Sequence, residues 1–165
     1  MRGRMTKRVL VAGVGYRNLR DMSLGPLLID RLQESQWPEG IEVEDLSYGP
    51  IAIMHSLDER PPYDRMVFVS GAKRGRPPGD IHRYAWRHEL PHEDEIHQRV
   101  TEAATGVIDL ENLLIVATYF RKLPADVVVF EVEVADDSFG EAMTPVVESA
   151  IPRLIEQLRA EAGAS

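Results

Sequence analysis

The strongest constraint on the fold is a short apolar run near the start of the chain, followed at once by glycines. Residues 9–14 are apolar and rich in β-branched side chains, a pattern typical of a strand buried on both faces of a sheet. Gly13 and Gly15 close the run, and Ser23 is a good N-cap for a helix that follows. Ligands of open α/β domains bind where such strands end. We therefore expect the functional site near residues 15–25.

Further strand-like segments follow at intervals. Residues 41–46 alternate between apolar and acidic side chains and predict a strand near an edge, whereas the apolar residues 66–69 predict a central one. Residues 80–86 can form another strand. Residues 127–134 predict a last strand that enters the core and then leaves it half exposed.

Helical patterns separate these strands. They cover residues 51–57, a polar surface helix at 93–104, a helix capped by Asp109, and a last helix that starts at Thr144 and is bent by Pro152. The alternation predicts an α/β class, a three-layer α/β/α fold with a central, mostly parallel twisted sheet of about five strands. We expect one domain over residues 1–165.

The composition narrows the class of function. A formal net charge of -8 argues against a nucleic-acid binder, which needs a basic face. No apolar stretch approaches the roughly 18 residues of a membrane span. The basic residues 1–5 precede no cleavage site, so a cytoplasmic location is expected. The absence of cysteine excludes thiol catalysis, disulfides and thiolate metal sites.

Two motifs invite familiar assignments. The segment from His88 to His92 matches the zinc-protease pattern H-E-x-x-H, but Pro91 breaks the helix that would present both histidines, so we expect a solvated loop. Gly13-x-Gly15 resembles a dinucleotide turn, but Asn18 stands where a third small residue is needed.

Several segments together resemble a known family. The run from Gly13 to Gly25 reads GVGYRNLRDMSLG and is similar to G-x-G-N-x-L-x-x-D-[DE]-G-x-G. Together with five later segments, this run resembles the nickel-dependent hydrogenase maturation proteases, in order and spacing, over residues 7–158. The later segments are residues 43–49, 69–71, 78–82, 110–133 and 140–145. That family trims the C-terminus of the large subunit of nickel-iron hydrogenases.

The resemblance implies a nickel site, and the chain departs from it there. The family's two carboxylates and one histidine match Met22, Ser70 and Gly106. A thioether, a neutral hydroxyl and a missing side chain leave no site for a borderline divalent ion. We expect no catalytic residue, no metal and no cofactor. Nickel binds only if a displaced site exists, with His82, His55 or the loop 88–97 replacing Gly106.

The resemblance also assigns neighbours to the cleft. They are Gly15, Tyr16, Asp21, Glu44, Lys73 and Arg74. The loop that carries Lys73, Arg74 and Arg76 is acidic in the family and basic here, so we expect a cleft of opposite sign.

Two functions fit this pattern. One is a working protease with a displaced metal site. The other is a pseudo-protease, a maturation or chaperone factor that binds a hydrogenase large subunit or a similar protein partner. Because the departures cluster at one site, they favour the second. An alternative is a nucleotide-binding or other anionic-ligand-binding α/β domain with a repurposed cleft.

Overall fold

The architecture is a five-stranded sheet between helices, seen in a computed structural model that describes residues 7–163. The strands are β1 (Val9–Gly13), β2 (Ile41–Asp45), β3 (Arg65–Ala72), β4 (Ile81–Ala85) and β5 (Asp126–Glu133). The helices are α1 (Leu24–Gln33), α2 (Pro50–Asp58), α3 (Glu93–Ala104), α4 (Leu110–Tyr119), α5 (Pro145–Glu148) and α6 (Ile151–Ala162). A 3₁₀ turn, Arg20–Ser23, precedes α1.

The sheet has the order β2-β1-β3-β5-β4. The strands β2, β1, β3 and β5 run parallel to one another, and β4 pairs antiparallel with β5 at one edge. The expected mostly parallel sheet is thus confirmed, with β3 in the middle and β2 at the other edge. Parallel pairing brings the carboxyl ends of β1, β3 and β5 to the same side of the molecule.

Two cores lie on opposite faces of this sheet, as a three-layer fold requires. One core joins α1 and α6 to one face, and its fully buried members include Val11, Leu28, Val67 and Leu154. The other joins α2 and α4 to the opposite face, and its members include Leu10, Ile53, Phe68 and Leu114.

Three local expectations are wrong. The carboxyl half of β5 is buried rather than half exposed, because a neighbouring loop covers the acidic side chains of Glu131 and Glu133.

Pro152 does not bend one helix. It lies in the first turn of α6, where proline is tolerated, and the chain starts a new helix after α5. Ser23 precedes α1 without capping it, since its Oγ accepts from the Leu19 N–H at 3.0 Å.

The basic stretch at residues 1–5 lies outside the described residues. Within residues 7–163, no helix is long and apolar enough to span a membrane.

Close packing of α1 on β1 depends on two glycines. A Cβ atom built on Gly25 would lie 2.5 Å from the carbonyl oxygen of Val14, and one on Gly13 would lie 2.5 Å from that of Gly25. Contacts this short with backbone atoms cannot be relieved by a side-chain rotation. The first βα turn therefore needs glycine at both positions.

We predict that Gly25→Ala lowers the free energy of unfolding by roughly 2–3 kcal/mol, because the added methyl group overpacks the helix against β1. Gly49→Ala is the matched control: its φ is -60°, and its new Cβ would meet only the Gly106 Cα, at 3.4 Å. Urea unfolding of both variants measures the difference. Equal stability of the two variants would contradict the role of Gly25.

Candidate functional site

A cavity of about 210 Å³ opens at the carboxyl ends of β1, β3 and β5. The turn after β1, the end of β3 and the loop after it, one residue each of β4 and β5, and the start of α4 surround it. Its lining comprises Val14, Gly15, Tyr16, Met22, Ser70, Gly71, Ala72, Lys73, Arg74, Tyr84, Ile108, Asp109, Leu110, Glu111 and Glu131. Six of the residues named from the sequence are among them: Gly15, Tyr16, Met22, Ser70, Lys73 and Arg74.

Met22 and Ser70 lie close together on the floor of this cavity. A Cβ built on Gly71, the residue after Ser70, would be 3.5 Å from the Met22 Cα. The Ser70 hydroxyl donates to the Val14 carbonyl oxygen at 2.8 Å. This bond ties the end of β3 to the turn after β1, and the hydroxyl proton is used within the fold.

The turn after β1 leaves little room for a phosphate. The Gly15 N–H donates to Ser47 Oγ at 3.0 Å, and the Tyr16 N–H donates to the Met22 carbonyl oxygen at 3.1 Å. A Cβ on Gly15 would lie 2.5 Å from that same Met22 oxygen. These amides are already satisfied and closely covered, whereas a dinucleotide turn presents free amides to the pyrophosphate.

Tyr16 forms one side of the cavity mouth. Its hydroxyl accepts from the Ile108 N–H at 3.1 Å and so joins the β1 turn to the loop before α4. The ring itself is exposed at the surface. Tyr16 therefore offers an ordered aromatic surface to anything that approaches the cavity.

A buried carboxylate that the sequence analysis did not single out lies beside Ser70. Glu131 is 4% exposed and is paired in register with Ser70 across β3 and β5. Its oxygens accept from Arg74 at 2.9 and 3.2 Å and from Arg76 at 3.2 Å. Tyr84 donates its hydroxyl to the same carboxylate at 3.4 Å.

Proton affinities in this cluster follow from burial and charge. Burial alone would raise the pKa of the Glu131 carboxyl, but the bonds from Arg74 and Arg76 outweigh it and hold that pKa below its usual range. Burial, with Glu131 as the next cause, raises the pKa of Tyr84 to about 12. The carboxylate is therefore ionised at neutral pH and its positive partners remain bound to it.

Glu133 fixes the loop that carries these arginines. Its carboxylate accepts from the backbone N–H groups of Arg74 and Gly75, at 3.0 and 3.1 Å. Lys73 pairs with Asp137 at 3.1 Å. The expected cleft of opposite sign is not what the structure shows, because the loop's cations are matched by acidic side chains of β5 and of the segment after it. A strand sequence alone did not reveal which loop would cover those acids.

Three residues assigned to the site lie away from the cavity lining. Asp21 is fully buried, and its carboxylate accepts from Ala135 N, Asp136 N and Thr144 N at 2.8, 3.0 and 2.7 Å. It therefore holds the loop between β5 and α5, with no oxygen directed to a cleft ligand.

Glu44 and Gly106 are displaced for other reasons. Glu44 lies on the edge strand β2 and makes a two-point ion pair with Arg60, at 2.6 and 2.7 Å. Gly106 has a left-handed backbone with φ 83° and faces Gly49. The loop before α4 turns at this glycine, and its first residue in the cavity is Ile108.

The histidines do not converge on a metal site. His88 Nε2 lies 2.9 Å from the Pro124 carbonyl oxygen, and His92 caps α3 through its Nδ1, which accepts from Asp94 N at 3.2 Å. The H-E-x-x-H segment is thus a loop, as expected. His82 stacks on Tyr84. Across residues 7–163, no group of three or more His, Cys, Asp or Glu side chains is arranged to hold a metal ion. The residues present do not fit nickel.

The same fold occurs in several solved structures. The hydrogenase 2 maturation peptidase from Thaumarchaeota archaeon SCGC_AB-539-E09 is 23% identical, with 96% of this chain and 100% of that chain covered and a TM-score of 0.69. The [NiFe] hydrogenase maturation protease HycI from Thermococcus kodakarensis KOD1 is 19% identical, with 93% of this chain and 91% of that chain covered and a TM-score of 0.70. The hydrogenase maturating endopeptidase HybD from E. coli is 20% identical, with the same two coverages of 93% and 91% and a TM-score of 0.67.

No protein-family model and no curated protein matches the sequence. The structural similarities show that this chain has the fold of the hydrogenase maturation proteases. They confirm, at the level of the fold, the resemblance found in its motifs.

We predict that Glu131→Gln lowers the free energy of unfolding by about 2 kcal/mol at pH 7, because Arg74 and Arg76 lose their buried partner. The native pKa of Glu131 is depressed, so its contribution is present above the unfolded value of about 4.3 and is lost as the pH falls through the lower native value. The gap between wild type and variant should therefore close below about pH 4. Urea unfolding against pH measures it, with the exposed Glu156→Gln as control. A gap that does not change with pH would contradict the ion-pair account.

Proposed function

We propose that this protein is a metal-independent counterpart of the hydrogenase maturation proteases, which binds a protein partner at the cavity without cutting it. The partner is the large subunit of a nickel-iron hydrogenase or a similar chain, and the proposed location is the cytoplasm. The fold supports the link to maturation, since the similar structures are maturation peptidases of hydrogenases.

One observation carries the metal-independent part of the proposal. Met22 and Ser70 line the cavity where the resemblance assigns carboxylate ligands, and the buried carboxylate paired in register with Ser70, Glu131, is bound by two arginines. The two guanidinium groups already neutralise the negative charge of Glu131, which a divalent cation would otherwise neutralise. A cation at this carboxylate would have to compete with both arginines.

The cavity suits a polypeptide better than an anion. Its lining mixes apolar residues with polar residues and with charged residues of both signs. The cations near it, Lys73 and Arg74, already have carboxylate partners at 3.1 and 2.9 Å. An anionic ligand would compete with those partners and would also meet Asp109 and Glu111 at the cavity wall. These contacts favour the partner-binding function over the anionic-ligand alternative.

A first test is metal binding. We expect calorimetric titration with nickel and with cadmium to give no tight stoichiometric site, for the wild type or for Met22→Glu, since one added carboxylate does not build a ligand set. A generic acidic protein of similar charge serves as the control. A single tight site in the wild type would overturn the metal-independent proposal, and a search for displaced ligands would begin at His82.

A second test is the partner itself. We expect the protein, co-produced with the precursor of a hydrogenase large subunit from the same organism, to form a complex in which mass spectrometry finds the precursor's C-terminus uncut. Tyr16→Ala should weaken the complex at least about tenfold, because exposed aromatic side chains at a site's mouth carry binding energy. Tyr119→Ala removes a similarly exposed tyrosine from the end of α4 and should have no effect.

These outcomes separate the two parts of the proposal. A trimmed precursor would restore the protease function. The absence of a complex, or equal loss in the two tyrosine variants, would remove the cavity as the docking site.

A further inference from the structure

The strand β4 has one main-chain side with no partner among residues 7–163. It pairs antiparallel with β5 alone, with His82 opposite Glu131 and Tyr84 opposite Val129. The bonds that flank this ladder, Trp86 N to Val127 O and Glu133 N to Asp80 O, are both 2.9 Å. In an antiparallel pair such bonds recur at every second residue.

The main-chain groups of the even-numbered residues of β4 therefore bond to β5, and those of the odd-numbered residues point to the open side of the strand. Ile81, Arg83 and Ala85 direct their N–H and C=O groups outward. No backbone or side-chain group in the described part of the chain bonds to them. Such a row of groups is a template for one more strand.

A groove lies on each face of the sheet beside this edge. On the α6 side, a groove of about 320 Å³ is lined by Arg83, Phe130, Gln157, Ala160 and Glu161. On the α4 side, a groove of about 300 Å³ is lined by Tyr84, Ala85, Trp86, Arg87 and Glu89.

The two grooves are truly on opposite faces. Phe130 belongs to the core under α1 and α6, whereas the Trp86 indole donates to Thr118 of α4 at 2.9 Å. Successive side chains of an extended strand point to opposite faces. A strand added to β4 would therefore place one side chain in each groove, where Ala160 on one face, and Tyr84 and Trp86 on the other, offer apolar contacts.

Tyr84 connects this edge to the cavity. It lines both the groove on the α4 side and the cavity that contains Glu131. A chain that lies along β4 is thus separated from the cavity by one side chain. The edge and the cavity can be reached by one continuous segment.

We propose that β4 receives an extended segment of a protein partner as a sixth strand. The segment bonds to the main chain at Ile81, Arg83 and Ala85, and places neighbouring apolar side chains in the two grooves. The inference rests on the proposed function in one respect: the segment belongs to the partner whose continuation enters the cavity. Strand addition of this kind derives affinity from the main chain and specificity from the pockets.

A second copy of this chain fits the edge less well. The antiparallel register that pairs all of β4 with its copy puts the two Arg83 side chains directly opposite each other. Like charges in opposed positions destabilise a strand pair. Arg83 is held at 2.6 Å by Glu161, so it also guards the edge against unspecific pairing.

Arg83→Pro and Arg83→Ala form a matched pair for the test. Both variants remove the ion pair with Glu161, but only proline removes the outward N–H, and proline is tolerated on an edge strand whose N–H faces solvent. We expect the large-subunit precursor to bind the wild type and Arg83→Ala alike, and to bind Arg83→Pro at least about tenfold more weakly. Thermal melting shows whether Arg83→Pro is folded.

Hydrogen exchange of the wild type gives a measurement that does not depend on any variant. On binding, the amides of Ile81, Arg83 and Ala85 should become protected, while those of His82 and Tyr84 should be protected before and after. Absence of new protection at the odd-numbered residues would overturn the inference.

A library of displayed random twelve-residue peptides separates failure of the inference from failure of the proposed function. If the precursor binds all three proteins equally, strand addition is wrong and the proposed function stands. If the precursor does not bind, but selected peptides bind wild type and Arg83→Ala and lose affinity on Arg83→Pro, strand addition stands and the proposed partner is wrong. If neither precursor nor peptides show the Arg83→Pro effect, strand addition is overturned.

Discussion

The buried carboxylate of Asp21 organises the end of the sheet at which the cavity lies. It sits in the 3₁₀ turn after β1 and accepts hydrogen bonds from the loop that joins β5 to α5. One side chain thus joins the first crossover of the chain to the last. Because a buried polar group is stable only when its hydrogen bonds are satisfied, separating the two segments would leave this carboxyl group without partners. The position of Met22, the next residue, depends on these hydrogen bonds of Asp21.

A second buried carboxylate gives the cavity its chemical character. Glu131 brings a negative charge to the place where the sheet's carboxyl ends meet, and Arg74 and Arg76 neutralise it from a loop that Glu133 holds through backbone N–H groups. The charge balance is internal and leaves the cavity without a free cation among Lys73, Arg74 and Arg76. The proposed recognition of uncharged main chain and apolar side chains, rather than of a metal or an anion, rests on this charge balance.

The antiparallel edge adds a feature that a purely parallel sheet of this kind lacks. β4 extends the sheet past β5 and carries Tyr84 to the cavity wall, while its outer side pairs with no other strand among residues 7–163. A site at the strand ends and an open strand beside it can act together on one extended polypeptide. This arrangement gives a physical reason for a protein partner, independent of the similarity in fold.

Local patterns determined most of the architecture. Apolar runs separated by helical patterns predicted the sheet, and residues 93–104 were predicted as the surface helix that α3 forms. Asp109 caps α4 through a bond from Asn112 N at 2.9 Å. These features depend on periodicity and capping, which act between residues close along the chain.

Only the tertiary structure decided what the acidic side chains do. Asp21 is 123 residues from its partner Thr144, and Glu131 is 57 residues from its partner Arg74. An acidic residue in a strand is expected to be exposed until the loop that covers it is known, and for that reason Glu131 was missed. Asp21 was placed in the cleft by the resemblance, because the sequence does not show that the loop between β5 and α5 binds its carboxylate. The chain also turns at Gly106 with a left-handed backbone, so that the residues after Gly106 line the cavity and Gly106 does not. The sequence determined which segments form the sheet, and long-range pairing of charge determined which of their side chains remain available to a ligand.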